Sequence, residues 1–405
     1  MKKISFLIVF LLAFFLPAQA AQIVRGPYIE DPTQTTMILK WRTDVASPGW
    51  VEYGPVPRCN QIMTVSPEAT DHKVILYGLV PNQDFCYRIY VENAAKDGVQ
   101  NPVEGSFNTL YSAERRVVRF LAFGNTGAAP VEQTDPLVPV IDEAALAREA
   151  LSARMKDEKS DFLIHTGNMT HSGLNADADR EFFVPFKDVL AKNPLFVALG
   201  PNEYGPDRAE RESKSFLRAN YSRFHDMSWG NATPKYYSFD TANARFIFLD
   251  TNAAEGAVWA PDTGDKSQQL QWLKTMLGSA GEKWKIVVMN ASAYSTGARG
   301  SNNQIYADWA NVFENYRVNL VIQGGDADYE RTFPMYRGEP NQRGVTYVTL
   351  GGGGAPLSKR LSSDSSTARF VSAHHYAVGN IVDRKLTLKV YSDTGKLLDT
   401  LELYM

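Results

Sequence analysis

Between residues 22 and 110 the chain runs in short stretches of alternating apolar and polar side chains: Thr36–Trp41, Gly49–Tyr53, Lys73–Tyr77, Phe85–Val91 and Gly105–Thr109. A period of two puts one face of a strand inward and the other outward. Pro, Gly, Asn and Asp separate the runs, as turns require. Short strands at this spacing predict a β-sandwich over 22–110. Beyond the polar link Tyr111–Arg116 the pattern changes. Val117–Phe123 is nearly all apolar, as in a strand buried on both faces. Helical patterns over Glu143–Glu158, Asp179–Lys192, Gln268–Leu277 and Gln304–Tyr316 then interleave with strand patterns over Asp161–His165, Pro194–Leu199, Trp284–Met289 and Asn319–Gln323. Tyr236–Asp250 and His375–Leu403 read as antiparallel hairpins. The order predicts a second, α/β unit over 117–405, with helices on the sheet faces.

The first residues follow a different logic. Lys2 and Lys3 precede the apolar stretch Phe6–Leu16, and Ala18-Gln19-Ala20 ends it with small residues. This is the pattern of a secretory signal peptide, residues 1–20, cut after Ala20, and it implies a periplasmic or secreted protein. The stretch is short for a bilayer span, and no later segment is long and apolar enough to make one. Export places Cys59 and Cys86 in an oxidising space, where they either pair or stay free thiols. The formal charge of −3 has no basic run within it, so a nucleic-acid surface is not expected.

Five polar segments follow predicted strands in the second unit: Gly124-Asn125-Thr126-Gly127, Thr166-Gly167-Asn168-Met169-Thr170, Gly200-Pro201-Asn202-Glu203, Asn290-Ala291-Ser292 and Gly324-Gly325-Asp326-Ala327-Asp328-Tyr329-Glu330-Arg331. Ligand sites of α/β sheets gather at the carboxyl ends of strands, so these loops are expected to line one cleft. Their order and spacing resemble the calcineurin-like metallophosphoesterases, and among them the purple acid phosphatases. In that family the loops read Gly-Asp-x-Gly, Gly-Asp-x-x-Tyr, Gly-Asn-His-Glu/Asp, a strand ending in His, and Gly-His-x-His-x-Tyr-Glu-Arg. The resemblance implies a mixed α+β and α/β chain: a fibronectin-III-like β-sandwich followed by a four-layer αββα phosphoesterase domain.

It also implies a centre of two metal ions held by carboxylates, a Tyr, an Asn and three His. At those positions this chain carries Asn125, Asn168, His171, Pro201, Asn290, Gly325 and Ala327, and Asn202 stands where the family has its assisting His. Gly124, Gly127, Gly167, Glu203, Tyr294, Tyr329, Glu330 and Arg331 follow the family pattern. Holding two cations about 3.5–4 Å apart takes anionic or imidazole ligands. Neutral amides are weak ligands, and Pro, Gly and Ala side chains offer none. Paired carboxylates without a metal would repel each other and resist burial, whereas Asn has nearly the same shape and no charge.

The reading is therefore an inactive pseudophosphatase, with no cofactor. It would bind a polar ligand or an envelope or extracellular protein through a cleft of Asn125, Asn168, His171, Asn202, Glu203, Asn290, Tyr294, Asp326, Asp328 and Arg331. Two alternatives stay open. One is a phosphoesterase with a non-standard site, in which His171, Asp326 and Asp328, with Glu203 and Asp250, hold a single divalent cation. The other is a structural or adhesion role for the sandwich.

Overall fold

The computed structural model describes residues 21–92, 102–132, 140–205 and 235–405. The expected leader, residues 1–20, lies outside them. Five strands come from the first region: β1 (Ile23–Glu30), β2 (Met37–Pro55), β3 (Ile62–Leu76), β4 (Asp84–Val91) and β5 (Val103–Asn108). The second region supplies β6 (Val117–Phe123), β7 (Phe162–His165), β8 (Leu195–Val197), β9 (Tyr237–Thr241), β10 (Ala244–Phe248), β11 (Trp284–Met289), β12 (Leu320–Gln323) and β13 (Tyr329–Thr332). After a small ribbon of β14 (Met335–Tyr336) and β15 (Glu339–Pro340) come β16 (Thr346–Leu350), β17 (Thr367–Val371), β18 (His375–Val382), β19 (Lys385–Ser392) and β20 (Leu397–Tyr404).

Two large sheets result. One runs β20-β19-β18-β6-β7-β8 and the other β17-β13-β16-β12-β11-β10-β9. Strand alternation makes the layers. Phe120 and Ala122 of β6, with Ile286 and Val288 of β11, belong to a core shared by both sheets, rich in Phe162, Phe196, Phe239, Phe246 and Phe248. Their neighbours Leu121 and Phe123 face outward to a second core. That core is closed by Leu151 and Met155 of α1 (Glu143–Met155) and by Phe182, Phe186 and Leu190. On the far side Val287 and Met289 meet Leu270, Leu273 and Leu277 of α2 (Gln268–Gly278), together with Trp309 and Phe313. Helices, sheet, sheet and helices therefore stack in that order. The helices start where their sequences provide caps: the Asp142 side chain accepts from Ala145 N at 2.9 Å and the Ser267 side chain from Leu270 N at 3.1 Å.

The helix expected over Asp179–Lys192 is broken. Short helical turns at Asn175–Ala178 and Lys187–Leu190 flank a widened turn over Asp179–Phe183, where Val184 N reaches back five residues to Asp179 O at 2.9 Å. A similar widened turn, Tyr306–Ala310, interrupts the helix expected over Gln304–Tyr316.

The first region has its own core around Trp41, Val51, Tyr53, Phe85, Tyr87 and Phe107. The two halves of the long β2 take different partners. Ile38–Thr43 pair with β1, while Gly49–Pro55 pair with β4. Cys59 and Cys86 form a disulfide. The strand ladder does not stop at the expected link: β1 pairs in parallel with β8 at Glu30 and Leu195, so strands of both regions share one eleven-stranded sheet. Arg25 pairs with Asp179, Tyr28 packs on Phe183 at 4.7 Å, and Tyr87 donates to Ala191 O at 2.8 Å.

Candidate functional site

The five polar segments lie at the carboxyl ends of β6, β7, β8, β11 and β12. The first two are laced together. Asn125 N donates to Gly167 O at 3.0 Å, Gly127 N to Asn168 O at 3.1 Å, and Thr126 Oγ1 to Met169 O at 2.7 Å. Glycine at 124 is a packing requirement, because a Cβ there would fall 1.8 Å from Thr166 Oγ1. Asn125 and Asn168 sit in the left-handed region, with φ of 53° and 56°, which Asn tolerates better than most residues.

That backbone turns the two amides toward each other. Asn168 Nδ2 donates to Asn125 Oδ1 at 3.0 Å. Asn125 Nδ2 donates onward to Gly325 O at 3.3 Å, and Asn168 Oδ1 accepts from Asn202 N at 3.1 Å. Asn202 Nδ2 ends the chain on Thr170 O at 2.9 Å. Asn290 Nδ2 donates to Thr166 O at 2.7 Å, and its Oδ1 is buried with no donor among the described residues. Asn125, Asn168 and Asn290 are 4%, 7% and 0% exposed, so these amides form a closed floor with little open surface.

Behind the amides stand carboxylates that hold loops. Glu203 accepts from the backbone N–H groups of Asn168, Met169 and Gly200 at 2.7–2.8 Å. Burial pushes its carboxyl up to about 7, and those N–H groups act in the opposite direction. Asp326 gathers Ser295 Oγ, Arg299 N, Gly300 N and Ser358 Oγ. Glu330 holds Thr296 N, Thr296 Oγ1 and Thr367 Oγ1. Asp328 differs: both oxygens are buried with no donor among the described residues. Burial, then the charges of Asp326 and Glu330, push its carboxyl up to about 8.

The grouping of His171 with Asp326 and Asp328 does not form. His171 Nδ1 lies 2.7 Å from Glu181 Oε1, its backbone N donates to Glu181 Oε2 at 2.8 Å, and Nε2 is 3.8 Å from Asp177. Among the described residues, His171, Asp177 and Glu181 are the one cluster with donors close enough to share an ion. Arg180 already stands in it, 2.7 Å from Asp177 and in contact with Glu181. Two more residues leave the cleft. Arg331 pairs with Asp399 of β20 at 2.6 Å, and Tyr294 is packed in the core beneath α2 against Tyr306 and Tyr347. Sequence reasoning missed Glu181 because it lies within a widened turn that periodicity does not register. It missed the loop-holding role of Asp326 because that role depends on backbone N–H groups.

Comparison with known proteins places this geometry. The family model for calcineurin-like phosphoesterases matches residues 120–329, just over half of the chain's 405 residues. The chain belongs to that family. Among curated phosphoesterases of this kind, it is 27% identical over 197 residues to purple acid phosphatase 13 of Arabidopsis thaliana, covering 47% of this chain and 34% of that protein. It is 23% identical over 313 residues to probable inactive purple acid phosphatase 27 of the same plant, covering 71% and 49%. The chain thus spans a third to a half of the length of these curated relatives. In fold it is similar to a purple acid phosphatase from yellow lupin seeds, with a TM-score of 0.74 at 16% identity, covering 95% of this chain and 74% of that one.

Calcineurin-like phosphoesterases of the purple acid type imply a pair of metal ions at this place. The residues present do not fit them. Both oxygens that would face the metals, Asn125 Oδ1 and Asn168 Oδ1, already accept hydrogen bonds from neighbouring N–H groups. Pro201, Gly325 and Ala327 have no donor atom in their side chains, and His171 is held by Glu181. What the floor can do is hydrogen-bond through amides; it carries no charge able to hold two cations.

Proposed function

We propose that this chain is an exported pseudophosphatase, a phosphoesterase fold that binds a polar, uncharged ligand or an extracellular partner without metal-dependent hydrolysis. One observation carries the reading. The 3.0 Å hydrogen bond from Asn168 Nδ2 to Asn125 Oδ1 joins the two positions where the family places its carboxylates. Two carboxylates there would meet as acceptors and repel; two amides meet as donor and acceptor. A floor closed by its own hydrogen bonds is stable without cations, and without them it lacks the charge that would draw a phosphate ester.

Export is supported by the basic, apolar and small-residue pattern of residues 2–20. The sandwich reading of the first region is supported by the split pairing of β2 and by a core separate from those of the main sheets. The word inactive in one relative's name is consistent with the reading.

The test is phosphomonoester hydrolysis with iron, zinc or manganese added, beside the Asn125→Ala/Asn168→Ala variant. We expect no metal-dependent turnover in either protein. Turnover in the native chain that the variant abolishes would reject the proposal. Metal analysis after dialysis is the second check: a stoichiometric, tightly held transition metal would also reject it.

A further inference from the structure

At the opposite end of the strands from the amide floor, the amino ends of β6, β10, β11 and β12 and the turn between β18 and β19 surround a cavity of about 440 Å³. Residues from widely separated places in the sequence meet there: Arg116 before β6, Lys283 and Lys285 at the start of β11, Arg317 before β12, and Arg384 in the β18–β19 turn. Two acidic side chains, Glu282 and Asp383, share the lining, so cations outnumber them. Some of this charge is already matched: Lys283 pairs with Asp240 at 2.6 Å, and Arg384 Nε donates to Met405 O at 2.7 Å. The guanidinium groups of Arg116 and Arg317 make no hydrogen bond or ion pair among the described residues, and both side chains are exposed. Arg317 ends a helical turn in the left-handed region, with φ of 53°, and that turn brings its side chain to the cavity wall. Burial, then the neighbouring Arg317 charge, holds the Lys285 ammonium below its usual pKa. That ammonium donates to Tyr316 O at 2.8 Å, and an anion in the cavity would offset the Arg317 charge beside it.

The cavity also has a polar group of the other kind. Asn243 is 5% exposed and lies in the lining. Its Nδ2 donates to Asp383 O at 2.8 Å, which leaves its Oδ1 as the outstanding acceptor, buried with no donor among the described residues. A bare oxyanion would satisfy the guanidinium groups and leave Asn243 Oδ1 orphaned. A ligand with both an oxyanion and a hydroxyl would satisfy both.

We propose that this cavity binds a small hydroxylated phosphate, a phosphorylated polyol, through Arg116 and Arg317 on the phosphate and Asn243 Oδ1 on a hydroxyl. Guanidinium forks match phosphate oxygens in pairs and keep their charge at all working pH values. The same chemistry is offered by a soluble ester and by a glycerol-bearing phospholipid head group. This site is separate from the amide floor, and it does not require that floor to be active or inactive.

Calorimetric titration of the full chain with glycerol 3-phosphate, inorganic phosphate and glycerol tests it. Glycerol 3-phosphate should bind saturably and at least about fivefold more tightly than inorganic phosphate, glycerol should not bind, and added salt should weaken both anions. Arg116→Ala/Arg317→Ala should weaken the ester at least about tenfold, and Asn243→Ala, which deletes the acceptor, should remove its advantage over inorganic phosphate. Thermal melting of the Arg double variant, whose side chains are exposed, checks that it is folded. Sedimentation with phosphatidylglycerol vesicles against phosphatidylcholine vesicles separates the sources: arginine-dependent binding to the former identifies the head group, and binding of the soluble ester alone identifies the free compound. No saturable binding in either arm, or binding indifferent to the two arginines, overturns the proposal.

Discussion

The amide floor and the carboxylates just behind it belong to the same loops, yet they depart from the family pattern very differently. Asn125, Asn168 and Asn290 are neutral where the family has charged or imidazole ligands, and two of them bond to each other. Glu203 and Glu330 follow the family pattern and are buried; Glu203 accepts from three backbone N–H groups, and Glu330 from Thr296 N and the hydroxyls of Thr296 and Thr367. The difference separates two jobs. A carboxylate that closes loops is fixed by donors belonging to the chain itself. A carboxylate that would hold a metal is fixed only by the metal, and burying two such groups without it is unfavourable.

The largest effect expected from this contrast is at Glu203. Glu203→Ala leaves three buried N–H groups of two loops without an acceptor, and should cost about 3 kcal/mol or more, read from the shift in denaturation midpoint. A neutral result would break the distinction, because the carboxylate would then hold nothing.

Next comes Asn168→Asp, which replaces the donor facing Asn125 Oδ1 with an acceptor. About 1–3 kcal/mol of stability should be lost near pH 8 and regained in acid, where a protonated carboxyl can donate again. Recovery on adding zinc or manganese at pH 8 would show that the old ligand geometry survives and would sharpen the contrast against us.

Asp328→Asn works in the other direction. The Asp328 carboxyl is held at about 8 instead of its ordinary 3.8. Folded chains therefore keep a proton that unfolded chains release, and stability falls as pH rises from about 4 to about 8, then levels off. The variant removes that penalty, so it should gain about 1 kcal/mol or more at pH 8 and almost nothing at pH 4. A variant less stable at pH 8 would mean that the charge is compensated. The smallest effect is for the native chain itself: saturating divalent cations should move its melting temperature by less than about 1 °C, since only a ligand favouring the folded state shifts it.

Much of the fold can be read along the chain, because apolar runs such as Val117–Phe123 and Trp284–Met289 stay apolar whatever surrounds them. β1 escapes that reading. It carries Arg25, Pro27 and Glu30, and becomes a strand only because β2 and β8 are there to pair with it. The floor shows the same limit. The types at 125, 168 and 290 are plain in the sequence and do not fit a two-cation centre on chemical grounds. That Asn168 donates to Asn125, that His171 turns to Glu181, and that Arg331 pairs with Asp399 depend on side-chain directions and on partners up to 68 residues away. The basic cavity is the extreme case. Its cations lie between positions 116 and 384, and no local run of charge marks them.

The pairing of Glu30 with Leu195 has a mechanical consequence. β8 ends at Val197, three residues before the Gly200–Glu203 turn, and Arg25 of β1 grips the widened turn whose Glu181 holds His171. Tension on the first region would therefore load the amide floor directly, along a strand and through an ion pair, instead of dissipating in a slack tether. A partner tugging at one end of this molecule would be felt at the other.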